Sequence, residues 1–104
     1  MMVEMLRHVC RIVDGNLREA RKYAECASKH KGDHKAYADW CASMARMHLD
    51  ANTDGIALAD RMVREMHESD AVMGPGVKAM YADCREDWAP ETAQIKMMLD
   101  MYGR

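Results

Sequence analysis

Glycine and proline are distributed unevenly along this chain, and their positions constrain its fold more than any other feature. Gly32 and the run Gly74-Pro75-Gly76 bound long segments rich in Ala, Met, Arg, Lys, Glu and Asp. Most of these side chains lose little rotamer freedom in a helix, whereas Gly and Pro interrupt helices. The sequence therefore predicts an all-α protein with three long helices near residues 2–31, 33–69 and 77–102.

Apolar residues recur at steps of three and four within these segments, as they do on one face of a helix. The stripe on the second segment consists of Tyr37, Cys41, Met44, His48, Ala51, Gly55, Leu58, Met62 and Met66. It stays in register through residues 52–55, so we predict one continuous helix there. Pro90 removes a backbone donor, and we expect the third helix to kink or restart at this residue.

The turns are short, which makes consecutive helices antiparallel neighbours. We therefore predict one antiparallel three-helix bundle over residues 1–104, which a second copy would complete as a four-helix or larger bundle. Reflection of the chain about each turn predicts which residues face each other: His48 with Asn16 and Leu17, Tyr23 with Trp40 and Cys41, and Trp88 with Ala59 and Asp60.

The composition argues against several classes of partner. A formal charge of -2 and a pI near 6.2 do not provide the clustered positive charge that nucleic acid requires. No apolar run reaches the ~18 residues of a membrane span. Glu4, Arg7 and His8 interrupt the N-terminal segment where a signal peptide would be apolar. We expect a cytoplasmic protein that binds neither nucleic acid nor membrane.

The four cysteines, Cys10, Cys26, Cys41 and Cys84, are widely spaced, and no two of them form a Cys-x-x-Cys pair. Zinc ribbons and fingers need such short spacings, because two ligands must come from one turn. We therefore expect reduced thiols that pack as small apolar groups.

His48 occupies a stripe position where apolar residues are the rule, and a buried imidazole requires a polar partner. The register favours a mostly buried histidine between the first two helices, bonded to Asn16 or to a backbone carbonyl and without metal. A metal ligand or a proton carrier is the alternative. His30 and His34, on either side of Gly32, offer at most a weak divalent-ion site.

Methionine is unusually frequent, with twelve Met and no Phe in the chain. Met is unbranched and forms helices well, so it can replace Leu in the core. Thioethers also bind Cu(I), and cysteine thiolates are further soft ligands. The groups that would supply thioethers are Met1, Met2 and Met5, then Met44 and Met47, and finally Met97, Met98 and Met101.

The segments 23–27, 32–33 and 37–48 together resemble the first helical hairpin of ferritin-like proteins such as rubrerythrins. That family pairs a Glu on its first helix with a Glu-x-x-His on its second to bind two irons. Here Ala45 stands three residues before His48, and the first helix offers Asp14 and Asn16. The resemblance therefore implies the fold and argues against a working di-iron site.

The segments 45–49, 75–81 and 91–102 resemble small helical proteins of unassigned function from gut bacteria and their prophages. That resemblance implies no activity and no site residue. We find no phosphate-binding glycine loop and no nucleophile motif, so we assign no catalytic, cofactor-binding or metal-ligating residue.

The sequence thus favours a non-enzymatic helical bundle that acts by self-association or by binding another protein. A ferritin-like protein or a Met/Cys soft-metal binder is the alternative. We expect a homo-oligomer, because Leu58, Met62 and Met66 continue an apolar seam along a second helix that looks longer than its neighbours.

Overall fold

The computed structural model describes residues 2–68 and 75–104. These residues form three helices, α1 (Met2–His30), α2 (Lys35–Glu68) and α3 (Pro75–Tyr102), and contain no strand. The predicted all-α bundle is confirmed, with boundaries that differ by the one or two residues typical of helix ends. Met1 and residues 69–74 lie outside the described part; they include Gly74 of the predicted turn, whereas Pro75 and Gly76 begin α3.

Small residues line the contact between α1 and α2. Ala20, Ala24 and Ala27 of α1 are fully buried, as are Ala38 and Ala45 of α2. Side chains of this size allow two helix backbones to approach closely. The two helices pack along most of their length and form the hairpin on which α3 docks.

The continuity of α2 through residues 52–55 is confirmed. Asn52 is buried, and its Nδ2 donates to the Val13 carbonyl of α1 at 3.1 Å. Gly55 faces the same residue, because a Cβ there would lie 3.2 Å from Val13 Cγ2. The polar and small residues of this segment therefore hold α1 close to α2 and do not mark a break.

Large side chains of α3 fill the groove on one side of this hairpin. Trp88, Ile95 and Leu99 are buried there. Burial of side chains of this size contributes about 1.5–3 kcal/mol each. The core is therefore asymmetric, with alanines between α1 and α2 and bulky residues beneath α3.

Three aspartates of the hairpin accept hydrogen bonds from aromatic side chains of α3. Trp88 Nε1 donates to Asp14 at 2.7 Å, Tyr102 Oη donates to Asp39 at 2.5 Å, and Tyr81 Oη donates to Asp60. The bond to Asp39 raises the pKa of Tyr102 to about 12, since the carboxylate opposes ionisation of the phenol. These bonds are directional and set the position of α3 along the hairpin.

The predicted contact of Trp88 with Ala59 and Asp60 is wrong. Trp88 lies beside Thr53 and Ile56, while Asp60 is occupied by Tyr81 and by Arg85 at 3.3 Å. The physical reason is that α3 begins at Pro75, within the run of breakers, and its register places Tyr81 and not Trp88 beside Asp60.

Pro90 lies within α3, and the helix continues through it to Tyr102. The expected restart at this residue is therefore not observed. The expected kink stays a prediction.

Gly15 and Gly55, in the interiors of α1 and α2, predict opposite effects of substitution. A Cβ at Gly15 meets open space, so Gly15→Ala is expected to raise the free energy of unfolding by about 0.5–1 kcal/mol through helix propensity. Gly55→Leu is expected to lower it by about 1–3 kcal/mol, because the new side chain overpacks against Val13. Urea denaturation at one fixed protein concentration measures both. A stabilising Gly55→Leu would contradict the close approach of α1 and α2.

Candidate functional site

α3 covers one side of the α1–α2 hairpin and leaves the opposite side uncovered. On α2, the residues beside α3 are Asp39, Thr53, Ile56 and Asp60. At about 3.6 residues per turn, residues half a turn away point to the other side. We call that side the open face and define it as Met5, Ile12, Asn16 and Tyr23 of α1 with Trp40, Met44, His48, Ala51 and Leu58 of α2.

Aromatic rings pack against one another at one end of the open face. Tyr23 meets Trp40 edge-on with ring centroids 5.7 Å apart, and Trp40 stacks on Tyr37 at 6.3 Å. Such pairs contribute about 0.5–1.5 kcal/mol beyond their buried area. Trp40 is nevertheless 52% exposed. The cluster is therefore ordered by its own contacts and presents a large apolar surface to solvent.

His48 lies in the middle of the open face. Its Nδ1 donates to Asn16 Oδ1 at 3.0 Å, and its ring stacks on Tyr23 with centroids 5.7 Å apart. The predicted pairs His48–Asn16 and Tyr23–Trp40 are confirmed. The imidazole is mostly buried, as predicted, and its exposed part lies on the side of the hairpin away from α3.

The residues that the ferritin-like resemblance aligns with a di-iron site do not converge. Asp14 bonds to Trp88 on the α3 side, whereas Asn16, two residues later, bonds to His48 on the open face. Positions two apart point to nearly opposite sides of a helix. Asp14 and His48 therefore form hydrogen bonds on different sides of the hairpin.

His30 and His34 lie at the loop between α1 and α2, as expected. Their ring centroids are 6.0 Å apart, and His30 Nδ1 is 3.2 Å from a carboxylate oxygen of Asp33. Within residues 2–68 and 75–104, no set of three or more His, Cys, Asp and Glu side chains is arranged to hold a metal ion. The weak ion site expected at this loop therefore has no geometric support.

A groove of about 600 Å³ lies at the other end of the open face. It is lined by the apolar residues Met2, Met5, Val9, Leu58 and Met62, together with Glu4, His8 and Glu65. Leu58 is 49% exposed, and Met5 is similarly exposed. An apolar depression of this kind is typical of surfaces that bind another apolar group.

Of the three residues in the predicted apolar seam, Leu58, Met62 and Met66, only Leu58 is exposed to solvent. Met62 and Met66 are buried within the chain. The reason is that α1 begins at Met2 and α3 at Pro75, so both run alongside the end of α2. The second helix is therefore not left without neighbours, and the uncovered surface is a side of the hairpin.

The four cysteines are free thiols that form two pairs across helices. Cys10 of α1 lies near Cys84 of α3, and Cys26 of α1 lies near Cys41 of α2, since the thiols of each pair interact electrostatically. Burial, with a smaller effect of Cys84, raises the pKa of the Cys10 thiol to about 12. Spacing along the chain does not reveal these pairs, because they depend on the register between helices.

An ion pair links α1 to α3. Arg21 Nε donates to Glu91 Oε1 at 2.6 Å, and Arg21 Nη2 donates to Glu91 Oε2 at 2.9 Å. This bidentate contact lowers the pKa of Glu91 below its ordinary value of 4.5. The pair adds an electrostatic contact to the docking of α3.

Comparison with known proteins finds no match to this chain among family models, curated proteins or solved structures. The two resemblances noted from the sequence stay predictions. Across the described helices, none combines the length and apolar character that crossing a bilayer requires.

The His48–Asn16 bond predicts a measurable coupling between these residues. His48→Ala is expected to lower the free energy of unfolding by about 1–3 kcal/mol, since it leaves a small cavity and removes a partner of Asn16. His48→Gln keeps hydrogen-bonding capacity and is expected to cost less. In a double-mutant cycle with Asn16→Ala, the coupling energy should be about 0.5–1.5 kcal/mol. Additive effects would show that the bond contributes nothing to stability.

The Arg21–Glu91 pair predicts a specific pH dependence. Because the pKa of Glu91 is lowered in the folded state, its stabilisation is present above pH 4.5 and lost as pH falls through the folded value. Solvent screening limits this contribution to about 0.5–1 kcal/mol. Urea midpoints of wild type and Glu91→Gln should differ at pH 7 and converge in acid. Glu19→Gln, at an exposed pair with Lys22, is the control and should follow wild type.

Proposed function

We propose that this chain is a non-enzymatic helical module that self-associates through its open face. The single observation that carries the proposal is the uncovered side of the α1–α2 hairpin, with an aromatic cluster at one end and an apolar groove at the other. The occupant we propose is a second copy of the same chain, related by a two-fold axis.

The spacing of Trp40 and of the groove along α2 supports a two-fold axis at Ala51. Trp40 precedes Ala51 by eleven residues and Met62 follows it by eleven. A two-fold axis perpendicular to α2 at Ala51 therefore brings Trp40 of one copy to the partner's groove, where Leu58 and Met62 form part of the lining. The projecting ring and the depression are complementary, as a two-fold interface requires.

The centre of the open face supports the same arrangement. Ala51 is small, so two α2 helices can approach closely where they cross. His48 and Asp54 are each three residues from Ala51, on opposite sides. The axis therefore brings each imidazole near a carboxylate of the partner, which favours this register over others.

The dimensions of the molecule are sufficient for a stable dimer. The chain measures 56 Å by 19 Å along its longest axes. A stable interface needs about 800 Å² per partner, which is less than the area of such a face. Burial of the exposed half of a side chain such as Trp40 or Leu58 contributes about 1 kcal/mol.

The four free thiols are typical of a reducing compartment and support a cytoplasmic location.

Light scattering after size exclusion tests the proposal. We expect wild type to have twice the 11.9 kDa mass of the chain. Leu58→Arg introduces a charge into the interface and should yield a monomer with unchanged helix content. Met97→Arg is the matched control, because Met97 is 61% exposed on α3 and lies away from the open face. It should remain dimeric.

Tryptophan fluorescence provides an independent test of the interface. Trp88 is already buried, whereas Trp40 is 52% exposed. Concentrating the protein should therefore shift the emission of Trp40 to shorter wavelength and leave that of Trp88 unchanged. A monomer at all concentrations, or equal dissociation by Met97→Arg and Leu58→Arg, would contradict the proposal.

A further inference from the structure

A second groove runs between α2 and α3, on the side of the hairpin away from the open face. α3 packs mainly against α1, so its junction with α2 stays partly open. The groove has a volume of about 370 Å³, and pockets for small molecules measure about 300–1,000 Å³. Its lining on α3 begins at Arg85 and ends at Lys96, which lie about 16 Å apart along the helix. The groove is therefore elongated along the helix axis.

The wall of this groove between the two cations is mainly apolar. The apolar residues that line it are Ile56 of α2 and Trp88, Ala89 and Ala93 of α3. The Trp88 indole already donates its N–H to Asp14 of α1 at 2.7 Å, so the ring has no unsatisfied donor. The two alanines, one turn apart, are too small to fill the space beside the ring. The groove can therefore accommodate an apolar chain.

The two ends of the groove differ in their charge balance. Arg85 Nε lies 3.3 Å from Asp60 Oδ1, so its charge is compensated within the chain. Lys96 is exposed, and in the described part of the chain no carboxylate forms an ion pair with it. Asp50 and Asp100 line an adjoining depression with Lys96, but neither lines this groove. One end of the groove therefore carries a free positive charge.

We propose that this groove binds a single-chain fatty acid, with its carboxylate at Lys96 and its alkyl chain along α3 toward Arg85. Thr92 lies one turn before Lys96 and lines the same groove, so its hydroxyl can donate to the same carboxylate. Hydrogen bonds to a charged group are stronger than neutral ones. The alkyl chain would lie beside Trp88 and end at the aliphatic stem of Arg85.

The charge of the site favours a monocarboxylate over a phosphate ester. A phosphate monoester carries a charge of about -1.5 to -2 near neutral pH. Its recognition requires a second free cation near the first. Arg85 is paired with Asp60 and lies at the far end of the groove. A single ammonium and a hydroxyl therefore match one carboxylate.

The apolar groove on the open face is a poorer site for the same ligand. Its lining includes two carboxylates, Glu4 and Glu65, which repel an anionic head group. The groove between α2 and α3 has two cations and no carboxylate in its lining. Fatty-acid binding and self-association therefore use different surfaces of the hairpin.

Isothermal titration calorimetry with octanoate tests the proposal. We expect one octanoate per chain, and at least about tenfold weaker binding of octanol, which has the same alkyl chain without the charge. Lys96→Gln should weaken octanoate binding about tenfold. Lys78→Gln makes the same change at an exposed position of α3 outside the groove and should leave the affinity unchanged.

Ala93→Phe tests the path of the alkyl chain. Ala93 is exposed, so the larger ring should leave the helix content unchanged while it fills the groove and prevents binding. Leu58→Arg should bind octanoate as wild type does, which separates this proposal from dimerisation. Absence of binding to wild type, equal affinity for octanol, equal losses in Lys78→Gln and Lys96→Gln, or loss of binding in Leu58→Arg would each overturn the proposal.

Discussion

The close approach of α1 to α2 is the constraint on which the rest of this structure depends. Alanines line that contact, and Gly55 faces Val13 where a Cβ would already be tight. Where the contact is lined by alanines, two helices this close leave little space between them for large side chains. The bulky residues of the hairpin must therefore point to one side or the other. α3 covers one of these sides, and the other forms the open face.

The two sides of the hairpin are stabilised by different interactions. On the α3 side, aromatic donors bond to Asp14, Asp39 and Asp60, which sets the register of the third helix. On the open face, aromatic rings pack on one another, and no described helix of the chain covers them. On the α3 side, directional hydrogen bonds within the chain satisfy the polar groups and cover the surface. The open face leaves apolar area that a further copy of the chain can bury.

Methionine takes part in different contacts on the two sides of the hairpin. Met5 and Met62 line the apolar groove on the open face, whereas Met80 lies beside Cys84 on α3. Self-association depends on the shape and apolar area of the open face. An unbranched, flexible side chain can therefore fill space within the bundle in one place and line a binding surface in another.

The sequence by itself determined the three helices, the continuity of α2 and the pairing of α1 with α2. These follow from local propensity and from a loop short enough to define the register, so His48–Asn16 and Tyr23–Trp40 could be predicted. Only the tertiary structure decided where α3 lies, because that depends on specific bonds such as Trp88 to Asp14. That placement left one side of the hairpin uncovered, buried Met62 and Met66, and brought Cys10 close to Cys84. Contacts between residues more than seventy positions apart have no local signature, which is why spacing alone did not reveal them.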